Sequence, residues 1–129
     1  MIALDTNILI EIDVLNASVV ERLKELRNEA PANPALPAPV VSEYYYGVLG
    51  TRKKEKALEN IGKYEILNTS KDSALLFAEI KDRLKKSGQM LSDMDLLIAA
   101  ICVDNSVTLV TSDRQFEKIK ELNKIIVEV

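Results

Sequence analysis

Met1-Ile-Ala-Leu-Asp-Thr-Asn-Ile-Leu-Ile10 opens the chain and decides how the rest is read. Its first four residues are apolar and stop at Asp5, and a short apolar run closed by polar side chains reads as a buried strand. Asp5, Thr6 and Asn7 then offer helix-capping oxygens ahead of Ile8-Leu9-Ile10, so strand, turn and short helix are expected in that order.

Working outward, Ser18 to Glu21 has capping-box spacing, and Val19, Val20, Leu23 and Leu26 recur at helical intervals, which predicts a helix to about Asn28. All four prolines, Pro31, Pro34, Pro37 and Pro39, fall within nine residues. That stretch is expected to be extended, with Pro39 alone able to occupy the first turn of the next helix. Val40 to Leu49 reads as that helix, carrying Glu43 in its first turn, and Arg52 to Ile61 reads as another. Tyr64 to Leu67 is a candidate strand. Ser70 is a good N-cap for a helix that shows one face through Phe77, Ile80 and Leu84 and ends at Ser87-Gly88. Leu96 to Val103 is apolar all round, as a helix buried on most sides would be. Val107 to Val110 and Ile125 to Val127 read as strands, with a short helix from about Arg114 to Leu122 between them. Helices alternating with short apolar strands predict a single α/β domain whose parallel sheet is covered on both faces.

The side-chain inventory narrows the chemistry. The 129 residues include no histidine, no tryptophan and one cysteine. Ser-His-Asp and Cys-His catalysis, His-ligated zinc and thiolate clusters are therefore excluded. Cys102, inside an apolar run, reads as a small buried hydrophobe. The longest apolar run, Leu96 to Val103, is far shorter than the roughly 20 residues needed to cross a bilayer. No basic segment and small-residue cleavage site mark the N-terminus, so the cytoplasm is the expected compartment.

What remains is carboxylate chemistry. In open parallel sheets ligands bind beyond the carboxyl ends of the strands, and that rule selects among the 20 acids. Asp5 closes the first strand, and Asp113 follows Val107 to Val110 after Thr111 and Ser112. Asp93 and Asp95 stand at the start of the apolar helix, and Glu43 near the start of the helix after the prolines. Each acid also has a capping or helix-dipole reading. Gathered at one edge they would repel one another strongly, and the usual remedy is a hard divalent cation held by oxygen ligands, here Mg2+ or Mn2+.

Four segments of the chain together resemble a PIN domain, specifically a VapC-like toxin ribonuclease. They are Met1 to Ile10, Ser42-Glu-Tyr-Tyr-Tyr-Gly47, Ser92-Asp-Met-Asp-Leu-Leu-Ile-Ala-Ala100 and Thr108-Leu-Val-Thr-Ser-Asp-Arg-Gln-Phe116. The resemblance spans nearly the whole chain, 1–129, and implies one PIN domain with a doubly wound, five-stranded parallel sheet. It implies an acidic quartet of Asp5, Glu43, Asp95 and Asp113 as the catalytic and metal-binding residues, with Thr6, Asn7, Thr111 and Ser112 holding the acids by hydrogen bonds. The resemblance places Asp95 in the quartet because it stands directly before Leu-Leu-Ile-Ala-Ala100, and Asp93, about 200° away on a helix, should not face the same metal unless the helix begins between them. The implied activity is Mg2+- or Mn2+-dependent endoribonuclease cleavage of RNA. The implied partners are a cognate antitoxin protein and a second copy of the chain in a homodimer.

An RNA substrate needs positive surface, and the net charge is -3. Setting the quartet aside leaves 16 acids of the 20 against 17 bases, so the chain outside the candidate site is nearly neutral. Residues 51–63 carry Arg52, Lys53, Lys54, Lys56 and Lys63, and residues 81–86 add four more bases. Either cluster is also what a solvated helix face looks like. Arg114 is a candidate phosphate contact. Tyr44, Tyr45 and Tyr46 could stack on bases, although three adjacent helical residues point three ways and at least one is expected in the core. Two rival readings are a non-catalytic PIN-fold interaction domain and a phosphoacceptor receiver-like signalling domain. The receiver reading lacks the second acid beside Asp5 and a strand-end lysine; a haloacid-dehalogenase-like phosphatase likewise lacks its second aspartate at Asn7.

Overall fold

In the computed structural model, which describes residues 1–29 and 33–129, five strands form one parallel sheet in the order β3-β2-β1-β4-β5. The strands are β1 (Ile2–Leu4), β2 (Ala35–Pro37), β3 (Glu65–Leu67), β4 (Thr108–Thr111) and β5 (Lys124–Ile126). Between them lie α1 (Thr6–Asp13), α2 (Ala17–Glu29), α3 (Ala38–Tyr46), α4 (Lys54–Ile61), α5 (Lys71–Lys86) and α6 (Asp93–Asp104), and a 3-10 helix, Arg114–Lys118, precedes β5. Successive residues of a strand point to opposite faces, and every residue of β1 and β2 is buried. Both faces of the sheet centre are therefore covered, as the alternation of elements predicts.

The chain lays down β1, β2 and β3 in one direction, then returns through the packed pair α5 and α6 to add β4 on the other side of β1. The order reverses between β1 and β4, the point at which open parallel sheets bind ligands beyond the strands' carboxyl ends. Register fixes what lines it. Ile2, Ala3 and Leu4 pair with Thr108, Leu109 and Val110, and the next residues level with one another are Asp5 and Thr111.

Several local expectations change. Helix α2 is capped by Asn16, whose side-chain oxygen accepts from the amides of Ser18 and Val19; Ser18 lies inside the helix. The proline stretch contains β2, a three-residue strand paired on both sides, and Pro39 does sit in the first turn of α3. Pro31 lies outside the described residues. Because α3 begins at Ala38, Glu43 stands beyond its first turn, and the dipole reading of Glu43 falls. The helix expected over 114–122 is only the five-residue 3-10 turn. Cys102 is fully buried, and burial pushes its thiol up to about 12. No helix among the described residues is long and apolar enough to cross a membrane.

Candidate active site

Asp5 is the buried centre of the strand-end crevice, 4% exposed where aspartates are rarely so enclosed. It continues β1, and its amide donates to the Val110 carbonyl of β4 at 3.0 Å. Three donors satisfy its carboxylate: the Thr6 amide to Oδ1 at 2.8 Å, the Thr111 hydroxyl to Oδ2 at 2.6 Å and the Asn7 amide to Oδ2 at 3.2 Å. Burial pushes the Asp5 pKa above the ordinary aspartate value. The bonds from Thr111, Thr6 and Asn7 pull against that rise, and the charge of Asp113 adds to it.

The residues expected to support the acids form a lattice around this carboxylate. Thr111 Oγ1 donates to Asp5 and accepts from the Asp113 amide at 3.1 Å and the Asn7 side chain at 3.3 Å. Ser112 contributes its backbone amide, which donates to Asn7 Oδ1 at 3.1 Å; it steadies Asn7 and holds no acid with its hydroxyl. Thr6 Oγ1 donates to Glu43 Oε1 at 3.0 Å, tying α3 to the start of α1. Asp113 caps the 3-10 turn through a 2.9 Å bond from the Gln115 amide. Capping and membership of the acid group are thus compatible for Asp5 and Asp113.

Asp93 and Asp95 part company as the helical angle requires. Asp93 is exposed and pairs with Lys81 of α5 at 2.9 Å. Asp95 is partly buried in the first turn of α6, which Ser92 caps by accepting from the Asp95 amide. Burial raises the Asp95 pKa, Ser92 opposes the rise, and the charges of Asp5, Asp113 and Glu43 add to it. Four acids from β1, α3, α6 and the end of β4 therefore lie within electrostatic reach of one another.

Such a set has the donor chemistry of a hard-cation site, oxygen throughout and mutually repulsive. As the side chains lie, no three acids among the described residues converge tightly enough to enclose one ion. Asp5 and Glu43 are instead held by Thr6, Asn7 and Thr111. By donor chemistry the residues fit a divalent cation.

Other expected contacts resolve differently. Arg114 is engaged by Glu117 at 2.9 Å and by Glu128, exposed contacts that a phosphate would have to displace. Tyr44 is core: its hydroxyl donates to Asp13, and Asn60 Nδ2 donates to the other Asp13 oxygen at 3.3 Å. Burial raises the Tyr44 pKa to about 12. Tyr45 is half-buried, and only Tyr46, 79% exposed, is open to a base. The Tyr44-Asp13-Asn60 cluster braces α3 beside Glu43. Nothing in the sequence singles out Asp13 or Asn60, because 47 residues separate them and neither sits in a recognisable motif.

A PIN domain family model matches residues 2–122. The Ribonuclease VapC2 of Rickettsia felis is 29% identical over 93 residues, covering 68% of this chain and 69% of that protein. The Ribonuclease VapC1 of Methanocaldococcus jannaschii is 28% identical over 120 residues, 91% of this chain and 84% of that one. Among solved structures, VapBC2 from Rickettsia felis bound to a DNA fragment from their promoter superposes with a TM-score of 0.84 at 28% identity, covering 99% of this chain and 100% of that one.

Proposed function

The chain belongs to the PIN domain family, and from that premise we propose that it is a metal-dependent endoribonuclease, the toxin of a toxin-antitoxin pair, acting through Asp5, Glu43, Asp95 and Asp113. The observation that carries this reading is convergence: burial raises the Asp95 carboxyl first, and the charges of Asp5, Asp113 and Glu43, brought from three separate segments, add to the rise. Such a concentration of negative charge at a sheet's switch point destabilises the fold unless it serves a ligand. The similarity to two proteins named ribonucleases and to a toxin-antitoxin complex supports RNA as substrate and an antitoxin as partner.

Asp5 and Asp95 are the direct ligands in this scheme, with Asp113 and Glu43 completing the site or orienting the attacking water. A bound Mg2+ or Mn2+ supplies an acidified water and charge relief at the phosphoryl oxygens. Thr111, Asn7 and the Thr6 amide aim Asp5 and favour its ionised form against the opposing effect of burial. Thr6 sets the direction of Glu43 by holding one of its oxygens. The Tyr44-Asp13-Asn60 brace keeps α3 in place when substrate charge enters.

The test is incubation of purified protein with a panel of labelled RNAs, with Mg2+, with Mn2+ and with chelator. Cleavage that needs the ion and disappears in Asp5→Asn is expected. Cleavage indifferent to chelator, or wild-type turnover by Asp5→Asn, would sink the scheme.

A further inference from the structure

A groove of about 610 Å³ lies between the end of α1 and the helices α3 and α4, with Glu43 among its lining residues. Lys53, Lys56 and Lys63 line it together with Asn60. Positions 53, 56, 60 and 63 follow the helical repeat and share one face of α4 and its flanks, so the ammonium groups form a stripe and are not scattered. Two acids line the groove against these three lysines: Asp13, whose oxygens accept from the Tyr44 hydroxyl and the Asn60 amide, and Glu43, which belongs to the acid group. Lys56 has only an exposed 3.7 Å pairing with Glu59, and Lys63 reaches the Asn60 amide oxygen at 3.5 Å; such surface contacts are weak and exchange readily. In a chain of net charge -3 this wall is locally positive.

Across the groove, Ile10, Val14 and Leu15 present apolar side chains that are each at least half exposed. Cations on one wall and apolar surface on the other suit a single strand, whose phosphates and bases lie on opposite sides of its sugar chain. We propose that this groove carries the RNA strand on the Glu43 side of the scissile phosphate, with Lys53, Lys56 and Lys63 contacting its phosphates. The inference rests on the ribonuclease reading of the same site. An acidic amphipathic protein segment shares the charge complementarity. What favours RNA is that Glu43, one of the four acids, lines the groove together with the lysines, so a strand lying in it passes beside the acid group.

The experiment compares the protein with its triple variant Lys53→Gln/Lys56→Gln/Lys63→Gln in equilibrium binding of single-stranded RNA, both in the Asp5→Asn background and across 50 to 200 mM salt. Each phosphate contact on a single strand contributes about 0.7 to the slope of log K against log salt, so the triple variant should lose about 2 from that slope and bind at least about 10-fold more weakly at low salt. In the cleaving protein the same substitutions should raise KM and leave kcat within about 2-fold. A control pair on α5, Lys85→Gln/Lys86→Gln, should change neither. A folded triple variant with unchanged affinity and slope overturns the proposal, including when it has instead lost a protein partner, and so does an equal loss from the α5 pair. Binding that follows the slope rule in a protein that cleaves nothing would leave the groove standing and remove the enzymatic reading. Normal cleavage with an unchanged slope would do the reverse.

Discussion

Thr111 donates its hydroxyl to Asp5 Oδ2 at 2.6 Å across 106 residues of sequence, because strand register sets the first residue beyond β1 level with the last residue of β4. Thr111 is fully buried and Asp5 nearly so. A hydrogen bond to a charged group contributes about 1.5–3 kcal/mol, and Thr111→Val keeps the shape while removing the donor. Stability should fall by about that amount, read from urea midpoints. The bond lowers the Asp5 pKa, so its loss lets burial raise that pKa further. The acid limb of the pH-rate profile should then move to higher pH, and Thr111→Ser should move it back. An acid limb unchanged in Thr111→Val would separate Thr111 from the function of Asp5.

Glu43 depends on a neighbour of a different kind. Thr6 is partly exposed, and its 3.0 Å bond to Glu43 joins two helices at the crevice edge. Thr6→Val should cost little stability, about 0.5 kcal/mol or less as for most surface substitutions. Its effect on cleavage should be larger, a loss of about 10- to 100-fold in kcat/KM, because the carboxylate is freed to turn away. Thr6→Ser should retain most activity. Full activity in Thr6→Val would show that Glu43 is aimed by the helix alone.

The acid group makes stability depend on pH in a particular direction. Asp95 has a folded-state pKa above the ordinary 3.8, so the folded protein holds that proton more tightly than the unfolded chain. Stability is therefore favoured below the ordinary value and falls as pH rises through the folded-state pKa. In chelator, Asp95→Asn should be more stable than the parent at pH 7.5, with the gap closing toward pH 3.5. Divalent cation should close it from the other side by raising the parent's melting temperature, by an amount equivalent to about 2.7 kcal/mol at 100 times the dissociation constant. A variant less stable than the parent at pH 7.5 in chelator would show that Asp95 is not under net repulsion.

The parts of this arrangement that a reader of the sequence can see are those fixed by local pattern. Asp5 and Asp113 stand out because each ends an apolar run, and a parallel sheet delivers such residues to one edge. Helical angle sets Asp93 and Asp95 on different sides, the resemblance picks Asp95, and Lys81 pairs with Asp93. What stays hidden depends on partners far along the chain. Ala35–Pro37 is too short and too rich in proline to read as a strand; it becomes one because β1 and β3 flank it. Arg114 looks free in the sequence, and its exposed pairing with Glu128, 14 residues later, is not legible there. Asn16 and Ser18 are both good caps by type, and which one caps is decided by where the turn after α1 leaves the backbone.

That turn carries the last expectation. Helix α1 ends with the Leu15 amide donating to Ile12 at 3.0 Å and the Asn16 amide donating to Glu11 at 2.9 Å, which places Leu15 in the left-handed region at φ 56. Glycine is the usual occupant of such a position, and a residue with a Cβ costs about 1–2 kcal/mol there. Leu15 recovers none of this by burial, since it is 79% exposed. Leu15→Gly should stabilise the protein by about 0.5–1 kcal/mol after allowing for glycine's greater freedom in the unfolded chain, or about 2–5 °C in melting temperature. Leu15→Ala keeps the strained φ and should be close to neutral. A leucine retained where it is both strained and exposed points to use at the surface, and Leu15 forms part of the apolar wall facing the lysine stripe. The glycine variant should therefore be the more stable protein and the weaker RNA binder. Higher stability with undiminished binding would detach Leu15 from the strand's path, and lower stability would show that the turn does not cost what its geometry implies.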